Sequence, residues 1–122
     1  MNLAQYLAAL DARLQELDAL IAASSIDRHF DSNLEIGFVK GQITFVDGSC
    51  LDFSEQIPTT RRKFRLHYMD AQDALILRWD SAPHHKDLST FPFHRHTPDA
   101  IEPHGPMTLL EALGHISEIL LP

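Results

Sequence analysis

The sequence predicts an α+β domain, an antiparallel β-sheet of about 4–5 strands with an N-terminal and a C-terminal helix packed on one face. Three observations carry this. Leu3, Leu7, Leu10, Leu14, Leu17 and Ile21 recur in steps of four and three, the mark of an amphipathic helix. Between about positions 26 and 80, apolar residues alternate with polar ones between turn signals, the mark of half-buried strands. Helical spacing returns at Leu109, Leu110, Leu113, Ile116, Ile119 and Leu120.

The first helix is expected over about positions 2 to 23. Its leucine spacing is also that of a coiled-coil seam, so a helix that joins a homodimer is the alternative to one packed only on the sheet. Ile26 to Phe30 is a short strand candidate, and Leu34 to Lys40 a better one. Gln42 to Val46 and Cys50 to Gln56 flank Asp47-Gly48-Ser49, a hairpin signal. A three-residue loop, Asp47 to Ser49, pairs Phe45 with Leu51 and Ile43 with Phe53 and places both apolar sets on one face. It requires Gly48 or Ser49 at positive φ. In the second hairpin a four-residue loop, Asp70 to Asp73, pairs Tyr68 with Leu75, Leu66 with Leu77 and Phe64 with Trp79. Arg65 then faces Arg78, an unfavourable like-charge pair unless an anion or solvent intervenes. Pro83, Pro92, Pro98, Pro103 and Pro106 exclude a long helix or central strand beyond Asp80, leaving a loop with a short strand near Phe91 to His94. Thr108, with Glu111 three residues on, caps the last helix.

At 122 residues with 44% apolar content, the chain fits one domain, 1–122, with a real core. No apolar run approaches a membrane span, and no basic-then-apolar leader opens the chain. Cys50 is the only cysteine, so no internal disulfide and no zinc-finger spacing arises. A cytoplasmic location is the simplest expectation. The formal charge of −7 argues against a general nucleic-acid binder. Yet seven of the ten basic residues (Arg61, Arg62, Lys63, Arg65, Arg78, Lys86 and Arg95) fall between positions 61 and 95. Such asymmetry marks a local polyanion site in an acidic protein.

That stretch also holds His84, His85, His94 and His96, half of the eight histidines within thirteen positions. Imidazole is the side chain suited to proton transfer or metal ligation near neutral pH. In an acid–base reading, His67, His84, His85, His94 and His96 are the catalytic candidates. One imidazole takes a 2′-hydroxyl proton while another protonates the leaving oxygen. Lys63, Arg65, Arg78 and Arg95 bind the phosphate and stabilise its developing charge. No cofactor is needed. The metal alternative places His84, His94 and His96 around a divalent ion such as zinc with water in the open position; Asp80, Asp87 and Asp99 are nearby carboxylates. The structural alternative has Pro-flanked histidines bonding to backbone beside Trp79, Phe91 and Phe93. Cys50 has no basic or histidine neighbour in sequence to activate it. No phosphate loop or nucleophile elbow is present.

Three segments carry a family resemblance: Ile43-Thr44-Phe45-Val46-Asp47-Gly48-Ser49-Cys50-Leu51-Asp52-Phe53, the basic strand Lys63 to Ala71 with its His67-Tyr68-Met69-Asp70, and Arg78-Trp79-Asp80-Ser81-Ala82-Pro83-His84-His85 followed by Thr90-Phe91-Pro92-Phe93-His94-Arg95-His96. Together they resemble the TumE family, small toxin components of bacterial and archaeal toxin–antitoxin modules. The likeness runs from the first helix to the last. It implies a single TumE-like domain and a toxin encoded beside, and neutralised by, a helix-turn-helix antitoxin. Ribonuclease activity, with RNA as the partner, is an analogy drawn from other small bacterial toxins. The competing expectations are a non-enzymatic module that binds the antitoxin through the Lys63, Arg65, Arg78 face or the first helix, and a histidine-ligated metal-dependent hydrolase.

Overall fold

The computed structural model describes residues 1–31, 33–57 and 63–121; Arg61 and Arg62 of the basic stretch lie outside them. Helix α1 (Leu3–Glu16) is followed by a 3₁₀ turn (Asp18–Leu20) and strands β1 (Ile21–Asp31), β2 (Ile36–Phe45), β3 (Cys50–Ile57), β4 (Phe64–Met69), β5 (Leu75–Asp80), β6 (His94–His96) and β7 (Ile101–Pro103). Helix α2 (Leu109–Leu120) ends the fold. The strands form one sheet in sequence order, every neighbouring pair antiparallel. The α+β class is as the sequence predicts, but the sheet has seven strands rather than 4–5. In the proline-rich segment β6 (His94–His96) begins where the short strand expected near Phe91 to His94 ends, and β7 is added, with Pro103 tolerated because β7 lies at the sheet edge.

Helix α1 stops well short of position 23. Asn2 caps its start in a reciprocal box with Gln5, and the chain turns at Leu17 so that Ile21 pairs with Phe45 of β2. Ladder pairing along β1 thus overrides a helical spacing that continued through Ile21. The two strands expected at 34–40 and 42–46 are one strand, β2, passing through Gly41. A Cβ on Gly41 would lie 2.0 Å from the Ser25 carbonyl oxygen of β1, so glycine here marks close backbone approach, not a turn.

Both hairpins keep the expected faces and differ in register by two residues. Ile43 pairs with Leu51 and Thr44 with Cys50. The Phe45 N–H bonds to the Ser49 carbonyl at 2.8 Å, so the three-residue loop is Val46 to Gly48, with Gly48 at φ 88° as the loop requires. In the second hairpin Tyr68 pairs with Leu77, Leu66 with Trp79, His67 with Arg78 and Arg65 with Asp80, with a bulge between Tyr68 and Met69. The expected Arg65–Arg78 opposition is therefore absent: Arg65 stands across from Asp80 and Arg78 across from His67.

One sheet face is apolar. Ile43, Phe45, Leu51, Phe53, Leu66, Tyr68 and Trp79 are buried there against Leu3, Tyr6 and Leu10 of α1 and Leu109, Leu113 and Ile116 of α2. A buried polar node locks the layers together. The Tyr6 hydroxyl donates to Glu55 Oε1 at 2.6 Å, and Glu55 Oε2 accepts from the Leu109 N–H at 2.9 Å, holding a carboxylate against the positive end of α2. The Thr108 hydroxyl accepts from the Glu111 N–H at 2.9 Å, the expected cap. Among the described residues, no helix is long and apolar enough to cross a membrane.

Candidate functional site

The opposite sheet face carries a set of charged and titratable side chains, because every second residue of a strand points away from the core. Register then sets them in two adjacent rows. Ser54, Arg65, Asp80 and His94 form one row across β3–β6, and Asp52, His67, Arg78 and His96 form the other. The segment after β5 turns back over this face and lays the His85 ring against His94 and His96. Ring centroids are 4.8 Å (His85–His94), 5.8 Å (His85–His96) and 4.9 Å (His94–His96) apart.

Asp80 is the hub. Its Oδ1 lies 2.8 Å from His94 Nε2 and accepts from the Ala82 N–H at 3.0 Å. Its Oδ2 accepts from Arg78 Nε at 2.8 Å and lies 3.5 Å from His96 Nε2. Burial pushes the Asp80 carboxyl up, but the Ala82 N–H, the Arg78 guanidinium and His94 outweigh it and hold the group below the usual carboxylate range. Sequence reading sets Asp80 on the polar face beside Arg78 and names it as a nearby carboxylate, but not as the group that gathers the histidines.

The histidines differ in what they can reach. His94 is 2% exposed. Its Nδ1–H donates to the Pro92 carbonyl at 2.9 Å and its Nε2 faces Asp80, so neither nitrogen is left to meet a substrate. His96 and His85 are half-buried and border solvent. Burial holds the His96 imidazole below its ordinary value against the opposing pull of Asp80. His67 is also held low, by burial and then by Arg78 and Arg65; its Nδ1 is buried without a hydrogen-bond partner among the described residues. His84 is exposed, and its ring stands outside the trio.

The cations separate likewise. Arg78 and Arg65 are on the open face, Arg65 bonded to Asp52 at 2.9 Å. Lys63 is exposed just before β4. Arg95 pairs with Trp79, whose side is the core face, and its Nε donates to Glu102 at 2.8 Å. It belongs to the far side of the sheet. Trp79 is fully buried, Phe93 stacks on Phe64 with centroids 5.9 Å apart, and Phe91 is exposed. The Cys50 thiol is pushed up by burial, the opposite of an activated nucleophile.

A groove of about 440 Å³ lies elsewhere, lined by His29, Phe30, Ile36, Phe38, Gln56 and Ile57 among others. His85, His94 and His96 each offer a ligand atom, all within 4.8 Å of one another.

A family model described as Toxin TumE matches residues 10–120 of the chain. No curated protein and no solved structure matches it.

Proposed function

This chain belongs to the TumE family, the toxin component of a toxin–antitoxin module with an antitoxin as partner, and we propose that it acts by cleaving RNA on the open sheet face through metal-free acid–base chemistry. The observation that carries the proposal is the Asp80 hub, which gathers Arg78, His94 and His96 within 3.5 Å of one carboxylate while His85 closes over them. Arg78, tied to Asp80 through Nε, leaves the end of its guanidinium for a phosphate, and Arg65 flanks it from β4. His96, held towards its neutral form, takes the 2′-hydroxyl proton, and His85 protonates the departing 5′-oxygen. His94 does not touch substrate in this scheme. It positions Asp80 and, through it, Arg78 and His96.

RNA incubated with the purified protein in a chelator tests this. The expected result is cleavage that leaves cyclic phosphate ends. Loss of cleavage in chelator would instead favour a metal-dependent hydrolase.

A second reading has its own observation. Phe30, Leu34 and Ile36 are 62%, 65% and 49% exposed, and Phe30 and Ile36 line the groove beside the edge strand β1. Under it the antitoxin docks there, and the histidines only stiffen the loop. RNA left intact under every metal condition favours that reading.

A further inference from the structure

We propose that His85, His94 and His96 form a binding site for one divalent transition-metal ion of the zinc class, with the Asp80 carboxylate as its anionic neighbour. The three ligand atoms already lie within 4.8 Å of one another. Zinc–nitrogen bonds of about 2.0–2.1 Å at tetrahedral angles need nitrogens about 3.4 Å apart, so a modest inward movement completes the site. His94 and His96 are fixed on β6, while His85 comes from the loop and supplies that movement.

The surroundings are those of a ligand set. His94 Nδ1–H donates to the Pro92 carbonyl at 2.9 Å, which turns Nε2 into the cluster. A backbone carbonyl on the second ring nitrogen is the usual way a metal-ligating histidine is oriented. Asp80 lies 2.8 Å from His94 Nε2 and 3.5 Å from His96 Nε2; a bound ion takes the place of the proton that His94 shares with Asp80 and leaves the carboxylate to balance its charge. Imidazole donors select zinc, copper, nickel and cobalt over magnesium and calcium, which prefer oxygen. The pair carried by alternate residues of β6 was legible in the sequence. The third ligand is His85 and not its neighbour His84, because the loop turns the His85 ring onto the other two.

An ion held here displaces the proton that His85 would donate and occupies the lone pair with which His96 would accept one, so binding switches RNA cleavage off. That consequence rests on the proposed cleavage; the binding does not.

Cobalt(II) titration of the full chain, stripped of metal by chelator and dialysis, tests the site without RNA. The expected result is saturation at one cobalt per chain with the visible bands of four-coordinate cobalt. His85→Ala and His96→Ala should each weaken binding by about 100-fold or more and Asp80→Asn by about 10-fold, while His84→Ala should leave it unchanged. His85→Ala alters a half-buried loop residue, and its far-UV circular dichroism confirms the fold. No saturable binding, or binding indifferent to His85→Ala and His96→Ala, overturns the site. Stoichiometric zinc added to the RNA assay reads the consequence: cleavage should fall in proportion to occupancy, and cleavage unchanged or enhanced overturns the switch. RNA left intact by both forms counts against the cleavage proposal and leaves the metal site standing.

Discussion

Asp80 Oδ1 and His94 Nε2 stand 2.8 Å apart across the β5–β6 pair, with side-chain exposures of 4% and 2%. A carboxylate buried to this degree persists because donors surround it. Removing it strands the Ala82 N–H, Arg78 Nε and His94 together. Asp80→Ala should therefore cost about 3 kcal/mol or more of folding stability, measured by urea unfolding. Asp80→Asn keeps an acceptor and should cost less. A loss below about 1 kcal/mol for the alanine variant would show that Asp80 is not the hub described.

Tyr6 and Glu55 bind both helices to the sheet from the other side. Burial first, then Glu55, raises the Tyr6 phenol far above its ordinary range, so the hydroxyl stays protonated and donating. Tyr6→Phe removes the buried bond to Glu55 Oε1 and the acceptor of the Leu110 N–H and should cost about 1–3 kcal/mol, read from the unfolding midpoint. A stability equal to wild type contradicts the role given to this bond.

His67 supplies the pH prediction. Burial, Arg78 and Arg65 hold its imidazole below the ordinary value near 6.5. Between the folded and unfolded values, the unfolded chain binds more protons. The contribution of His67 therefore favours folding above about pH 6.5 and is lost as pH falls through its lower folded value. A proton NMR titration should show the His67 midpoint below 6.5, and His67→Gln should flatten the acid side of the stability profile. A midpoint at or above 6.5 would remove both expectations.

Arg78 and Arg95 are both basic and close in sequence, yet they occupy opposite faces. Arg78→Ala should reduce growth inhibition by about 10²-fold. Arg95→Ala, which loses only its half-exposed pair with Glu102, should retain it and change stability by about 1 kcal/mol or less. Equal losses in a growth assay would mean that the open face does not hold the activity.

What the sequence disclosed follows from which periods are strict. Side-chain alternation has a period of two, so the faces of β2–β5 were legible and Arg65, His67 and Arg78 were correctly grouped. A slip of two residues preserves alternation. It therefore hid the real partners, which depend on the Tyr68/Met69 bulge and on the Val46–Gly48 loop. The alternation of His94 and His96 in β6 was visible through the prolines around it. Nothing periodic orders a loop, so His84 and His85 could not be told apart until the chain was seen to fold back. Leu17 and Ile21 continue the spacing of α1, and only pairing with β2 ends the helix. Asp80 and Glu55 read as ordinary strand polar residues, because burial of a carboxylate is decided by what covers it.

The decisive measurement is cleavage of RNA by the purified chain in excess chelator, wild type beside His96→Ala. Acid–base chemistry on the open face should give chelator-resistant cleavage with cyclic phosphate ends, slowed about 100-fold or more in the variant, while circular dichroism shows both folded. Intact RNA with the wild type under every metal condition, or equal cleavage by both proteins, would contradict it.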